Sequence, residues 1–404
     1  MSWATVSVGD VTSVVTKGTT PKVFAEEGIN YVKAEALNGD SSLNEKGFYF
    51  IDAETHDSLR RSQLMEGDVL LTIAGAKIGK CGIISEAHLP ANTNQAVGIM
   101  RPDRSKAHPR FLYYFFKQPQ TFRYIQGLNS QAAQPNINLT MLKRVEFKAP
   151  DIEQQKIVAD ALSSYDDLIE NNRRRIALLE ASARLLYKEW FVHLRFPGHE
   201  HVKVVDGVPE GWEQSTIHDV AETIGGGTPS TKVPEYWDDG DIVWFSPTDL
   251  TANNCLALLD SRKKITETGL KKSSAKTLPP ETILMSSRAS IGYFGLYEHE
   301  CCTNQGFISC VPRLGNFRMY LLHNLMSRVE EIIGLASGTT FKEISKTNFR
   351  AIPISVPPSQ LLEEFEQYAY DAIKQVRFLK KQMQKLVEAR DLLLPRLMNG
   401  EIEV

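Results

Sequence analysis

No stretch of this 404-residue chain strings together the roughly 18 apolar residues that a membrane span requires. Met1-Ser2-Trp3-Ala4-Thr5 lacks the basic start and apolar run of a signal peptide. A cytoplasmic chain with no membrane partner is therefore expected. Cysteine is scarce: there are 5, an odd number, with no framework spacing and no Cys-x-x-Cys pair. Cys301-Cys302, Cys310 and His299 offer no obvious fourth ligand, and a structural zinc needs four at tetrahedral distances. No metal site is expected, and buried thiols in a reducing cell are the simpler reading.

Catalytic constellations are missing as well. Gly75-Ala-Lys-Ile-Gly79-Lys80 looks like a phosphate-binding loop, but it is one residue short between its glycines. Cys81 also stands where the magnesium-binding Ser or Thr belongs. A second stretch, Ser287-Arg288-Ala289-Ser290-Ile291-Gly292-Tyr293, keeps the Ile-Gly and loses the lysine, so the shared part reads as a turn. There is no Asn/Asp-Pro-Pro-aromatic loop for methyl transfer and no carboxylate–lysine cluster for a nuclease. Asp238, Asp239 and Asp241 have no counterpart in the first half and read as a solvated loop; His193, His199 and His201 read as surface residues. No catalytic residue is assigned, and an enzyme is not expected. Nor is there a charge excess that would name a partner: the net charge is −3. Residues 1–150 nonetheless carry 17 Lys and Arg against 14 Asp and Glu, and basic residues clustered on one face suffice for nucleic acid.

What the chain does have is a duplication. Thr20-Pro21 returns as Thr228-Pro229, Ile78-Gly79 as Ile291-Gly292, and Asn94-Gln95 as Asn304-Gln305. Ser130, Ile137 and Pro150 return as Ser337, Ile344 and Pro357, and Ala183-Arg184 as Ala389-Arg390. The landmarks keep their order at a repeat of roughly 210 residues, while the residues between them differ almost completely. Within each half, short apolar runs such as Asp68–Ala74, Gly82–Ile84, Val97–Met100, Thr282–Met285 and Phe307–Val311 read as strands. Helical segments are expected near 108–126 and 316–334.

Each half then ends in a long helix. Leu362, Phe365, Ala369, Ala372, Val376, Leu379, Met383, Leu386, Arg390, Leu393 and Leu397 alternate steps of three and four, apolar except for Arg390. That is a seam for a partner helix. Val158, Ala161, Tyr165, Leu168, Asn172, Ile176, Leu179, Ala183, Leu186 and Trp190 form a similar stripe with a stutter after Asn172. Asp151 with Gln154 resembles a capping box, Ser359 an N-cap, and Pro395 a stop or kink. The division expected is a recognition domain over 1–150, a spacer helix over 151–196, a linker and second recognition domain over 197–357, and a second helix and tail over 358–404. The fold class is α+β: two tandem α/β domains, each followed by a long helix, the helices forming an antiparallel coiled coil with pseudo-twofold symmetry.

Two related heads on a rod suit duplex DNA with two separated half-sites. Phosphates would be met by Lys and Arg, and bases by Arg, Lys, Asn, Gln, Ser and Thr. In the first half the candidates are Lys17, Thr19, Thr20, Lys22, Arg60, Arg61, Lys77, Lys80, Gln131 and Gln134. In the second they are Ser230, Thr231, Lys232, Arg262, Lys263, Lys264, Lys271, Lys272, Arg288, Tyr293, Thr339, Thr340 and Lys342.

Several motifs carry a family resemblance. They are Gly226-Gly-Thr-Pro-Ser-Thr-Lys-Val-Pro-Glu-Tyr-Trp237, Gly67-Asp-Val-Leu-Leu71 leading to Ile78-Gly79-Lys80, Asn94-Gln95 with Asn304-Gln305, and Gly338-Thr-Thr-Phe-Lys-Glu-Ile344 with Gln134-Pro-Asn-Ile137. With the proline-bounded helices and the ending Leu397–Val404, the whole chain resembles a specificity subunit of a type I restriction–modification enzyme. The first half departs from the pattern in having Thr19 where the second has Gly227, and in lacking the Tyr236-Trp237 segment. The resemblance implies two target recognition domains reading a bipartite double-stranded DNA site. It further implies a helical spacer that docks two methyltransferase subunits, and through them restriction and translocase subunits. Methyl donor, ATP and Mg would sit on those partners and no cofactor on this chain. The competing expectation is a coiled-coil scaffold with two protein- or peptide-binding heads.

Overall fold

In the computed structural model the described residues are 3–37, 43–75, 78–128, 136–338 and 342–402. They fall into two compact units, Met1–Glu170 with Gln384–Val404, and Asn171–Met383.

The first unit is built on a four-stranded sheet in the order Thr12–Lys17, Val97–Pro102, Val69–Thr72, Cys81–Ile83, antiparallel throughout. Val69–Thr72 is buried at every position, which is why it reads as an unbroken apolar run. Its alternate side chains serve two cores. Val69 and Leu71 join Met100, Phe111, Phe147, Val158 and Leu162 on the helical side. Leu70 joins Val32, Leu37, Leu64 and Ile99 under a smaller sheet. That sheet is Phe48–Ile51, Ile29–Val32, Ala91–Thr93, its last pair parallel. The helical segment expected near 108–126 is two helices, Pro109–Lys117 and Pro119–Gly127. Each has proline at its start, where the missing N–H would be unpaired anyway, and Pro119 ends continuity with the helix before it.

The second unit repeats this plan. Its larger sheet runs Ala221–Gly225, Phe307–Pro312, Ile283–Ser286, Phe294–Tyr297, Ala257–Leu258. Its smaller sheet is Lys263–Ile265, Ile242–Phe245, Cys302–Thr303, again with the last pair parallel. Ile283 and Met285 face the helical core and Leu284 the smaller one. Each unit also carries a two-stranded ribbon, Ala4–Ser7 with Glu146–Ala149 and Glu213–Thr216 with Pro353–Val356. Capping boxes follow, Ser7 with Asp10 and Thr216 with Asp219.

The repeated Ile-Gly is a tight turn between the two strands of a hairpin. Gly79 (φ 91°) donates its N–H to Thr72 O at 2.9 Å, and Gly292 (φ 88°) donates to Ser286 O at 3.0 Å. A Cβ on Gly79 would lie 3.0 Å from Phe122 Cδ2, and one on Gly292 2.5 Å from Val329 Cγ1. Positive φ and helix packing together demand glycine there.

The long helices are Ile152–Tyr187 and Ser359–Met398. Asp151 Oδ1 caps the first, accepting from Gln154 N at 2.9 Å. In the second unit Asn172 Nδ2 donates to Gln382 Oε1 at 2.9 Å, and Tyr187 meets the Phe365 ring. Rising numbers on one helix meet falling numbers on the other, so the pair is antiparallel, and Ile176, Val376 and Leu379 fill its seam. In the first unit Arg390, the charged member of the stripe, donates to Asp166 Oδ1 at 2.6 Å.

Three details differ from expectation. Leu168 is 49% exposed while its neighbour Ile169 is buried, as is Leu162. With these two the stripe Val158, Leu162, Tyr165, Ile169, Asn172, Ile176 keeps alternating steps of four and three, so the expected stutter is not there. Pro395 does not stop its helix, which continues through the proline for three more residues to Met398, with Asn399 N donating to Pro395 O. Ser359 is the first helical residue instead of the cap.

Four of the five cysteines are buried, Cys255 is half-buried, and all are free thiols; burial pushes Cys310 up to about 12. Among the described residues no helix is long and apolar enough to cross a membrane.

Candidate functional site

The duplicated landmarks meet each other in space. In the first unit Thr20 Oγ1 donates to Gln95 Oε1; in the second Thr228 Oγ1 donates to Gln305 Oε1 at 2.5 Å. The loop carrying the threonine is laid against the opposite turn by backbone bonds, Thr19 N to Thr93 O and Gly227 N to Thr303 O, both 2.9 Å. A Cβ on Gly18 or Gly226 would lie 2.1 Å from that same turn, so only glycine permits the approach. Ile137 N and Ile344 N likewise donate to Ile73 O and Ser287 O. The residues kept between the halves are thus a latch that fixes two loops side by side.

Beside each latch stands an aromatic corner. Tyr31 OH donates to Thr19 O at 2.8 Å, and Trp244 Nε1 donates to Gly227 O at 2.9 Å. Burial pushes the Tyr31 phenol up to about 12, so it stays a donor. Phe24 packs edge-on against Tyr31 at 5.3 Å, as Trp237 does against Trp244 at 5.1 Å. Phe24 therefore fills the place of the segment the first half lacks in sequence. Lys33 Nζ lies 4.3 Å from the Phe24 centroid and 3.4 Å from that of Tyr49; Lys263 Nζ lies 5.5 Å from that of Trp237.

The candidates named from sequence are distributed around these features. Lys17, Thr20 and Lys22 are exposed along the first latch loop, and Arg61 Nη2 donates to Thr19 Oγ1 at 3.2 Å. Arg60 is exposed on the same turn, and Lys80 is half-buried in the hairpin. In the second unit Ser230 O accepts from Trp237 Nε1 at 3.1 Å, and Thr231 and Lys232 are exposed beside it. Arg262, Lys263 and Lys272 are exposed. Three bases are neutralised locally: Lys264 by Asp260 at 3.2 Å, Lys271 by Glu267 at 2.9 Å and Arg288 by Glu343 at 3.8 Å. Exposed Tyr293 sits in the hairpin, and Lys342 O accepts from Ala289 N at 2.9 Å. Lys77, Gln131, Gln134, Thr339 and Thr340 lie outside the described residues. Sequence reasoning missed Gln95 and Gln305 as partners of the threonines, and missed Phe24, Lys33 and Tyr49 altogether; Trp237 was read as part of a motif and not as a site residue. Gln95 and Gln305 carried a signal, being polar residues held in order in both halves.

Buried charge ties the second head to its helices. Arg377 reaches Glu281 Oε1 at 2.9 Å, and Tyr370 OH donates to the same carboxylate at 3.1 Å. Lys380 Nζ donates to Ala257 O at 2.7 Å, while Leu256 N donates to Glu180. In the first unit burial would raise Asp166, but Lys117 and Arg390 beside it hold the carboxyl below its usual range.

The family described as Type I restriction modification DNA specificity domain matches residues 1–181 and 209–382. Over 403 residues the chain is 26% identical to the type I restriction enzyme MjaIX specificity subunit of Methanocaldococcus jannaschii, covering 96% of this chain and 88% of that one. It is 25% identical over 371 residues to the HindI specificity subunit of Haemophilus influenzae, with 75% and 80% covered. The crystal structure of a type I restriction–modification S subunit from M. genitalium aligns with a TM-score of 0.62 at 17% identity over 98% of this chain and 96% of that one. At that identity the likeness speaks for the fold alone.

Proposed function

The chain belongs to the type I restriction–modification DNA specificity family, whose role is recognition of DNA sequence and not catalysis, and from that premise we propose how it reads its site. Each head takes one half of a bipartite duplex site, and the paired helices hold the heads at a set spacing. The helices also recruit two methyltransferase subunits, and restriction subunits through them. Methyl donor, ATP and Mg belong to those partners, and the setting is cytoplasmic.

The observation that carries this reading is the latch. Thr20 with Gln95 and Thr228 with Gln305 fix the same loop pair in both heads, while the side chains around it differ. A scaffold kept and a surface varied is what two half-sites of different sequence require. Lys17, Lys22, Arg60, Arg61, Lys232 and Lys272 are then phosphate contacts, which set affinity and orientation.

Binding of the purified chain to random duplex DNA at 50 and 200 mM salt tests the premise. Phosphate contacts make affinity fall by orders of magnitude over that range; a salt-independent response favours protein-binding heads. Exchanging residues 1–150 for those of a relative should change one half-site and leave the other intact.

A further inference from the structure

We propose that the aromatic corner beside each latch is the base-reading element of its head, with one lysine amine selecting guanine: Lys33 in the first head and Lys263 in the second. This rests on the DNA-reading function argued above.

The two heads can be superposed by register alone. Val32 pairs with Thr93 in the parallel ladder of the first small sheet, and Phe245 with Thr303 in that of the second. Tyr31 and Trp244 precede these residues and donate to equivalent carbonyls, so they occupy one position. Across the antiparallel ladder Tyr31 faces Tyr49, and Trp244 faces Lys263. Tyr49 and Lys263 therefore correspond, as do Lys33 and Ser246. The amine in the first head comes from the end of the central strand; in the second it comes from the edge strand. Both rest on an aromatic ring in the same corner.

That exchange changes where a donor stands without moving the backbone. Such a displacement is what distinguishes one base position from the next. The chemistry suits a base edge. An ammonium offers donors only and complements guanine O6 and N7, while an exposed ring face suits the thymine methyl. Phe24 is 37% exposed and Tyr49 45%, more than a core cluster would leave. Among the described residues Lys33 and Lys263 have ring contacts and no carboxylate partner, in contrast to Lys264, Lys271 and Arg288. Held by rings, each amine is positioned yet keeps its charge available.

The test selects bound fragments from a random duplex library with the full-length chain, comparing wild type with Lys33→Met and Lys263→Met. Wild type should enrich a two-part motif. Lys33→Met should lose guanine preference roughly tenfold at one position of one half, Lys263→Met should do so in the other half only, and Lys33→Arg should retain it. Thermal unfolding of each variant identifies a merely structural effect. If Lys33→Met and Lys263→Met enrich the unaltered wild-type motif, whether or not their melting temperatures fall, the assignment is wrong. If wild type enriches no motif, the DNA-reading premise fails first and takes this assignment with it.

Discussion

His323 is buried between the Tyr187 and Phe365 rings, with Nδ1 donating to Met319 O at 2.8 Å. Burial pushes its pKa down from 6.5 to about 4. A depressed folded-state value means the native state holds the ring neutral, so its stabilising contribution is complete above about pH 6.5 and declines as pH falls toward 4. A drop of that size corresponds to about 3 kcal/mol. Urea midpoints measured from pH 7 to 4 should fall more steeply for wild type than for His323→Gln; parallel curves would remove His323 as the cause. A second residue-scale consequence follows from Arg377 and Glu281, both buried. Arg377→Met strands the carboxylate and should cost about 3–5 kcal/mol, whereas Arg377→Met with Glu281→Gln should recover most of it. Equal losses in single and double variants would show that the ion pair is not the source.

Among the elements, the second long helix was the most legible, because its stripe keeps alternating steps of three and four throughout and is apolar at every position but one. Arg390 stood out as the exception, and only the fold supplies Asp166 to explain it. The first helix was less legible: its stripe was drawn through Ala161 and Leu168, whereas the buried seam passes through Leu162 and Ile169, one residue on. Strand positions were readable where burial on both faces leaves an apolar run, as at Val69–Thr72. The latch was half-visible. Thr20 and Gln95 could be seen to repeat, but a bond across 75 positions leaves no local trace. The aromatic corner was invisible because Phe24 and Trp237 share a role and not a residue type. The seam can be tested at two phenylalanines of the same helix. Phe365 is fully buried against Tyr187, Trp190 and Phe191, while Phe378 is 67% exposed. Phe365→Ala should cost about 3–5 kcal/mol and Phe378→Ala within about 0.5 kcal/mol, both read by chemical denaturation. Comparable losses would mean that the apolar stripe does not define the packed face.

For the molecule as a whole, the proposed spacing rests on the two helices acting as one paired element. Asp166 is matched with Arg390 in one unit and Asn172 with Gln382 in the other. Lengthening only the second helix would break one match to keep the other, so the informative variant adds a heptad after Glu170 and another after Met383, the sequence boundaries of the two units. Seven residues add about 10 Å and, being close to two full turns, rotate the helical face by only about 20°. On DNA the same distance is about three base pairs, which turn the duplex by roughly 100°. The lengthened chain should therefore select both original half-sites with a spacer two or three base pairs longer. It should bind more weakly, because the new spacing and the new phase cannot both be met without twisting the DNA. Sequencing of the bound fraction reads spacer and half-sites together. Altered half-sites with an unaltered spacer would reject the helices as the ruler.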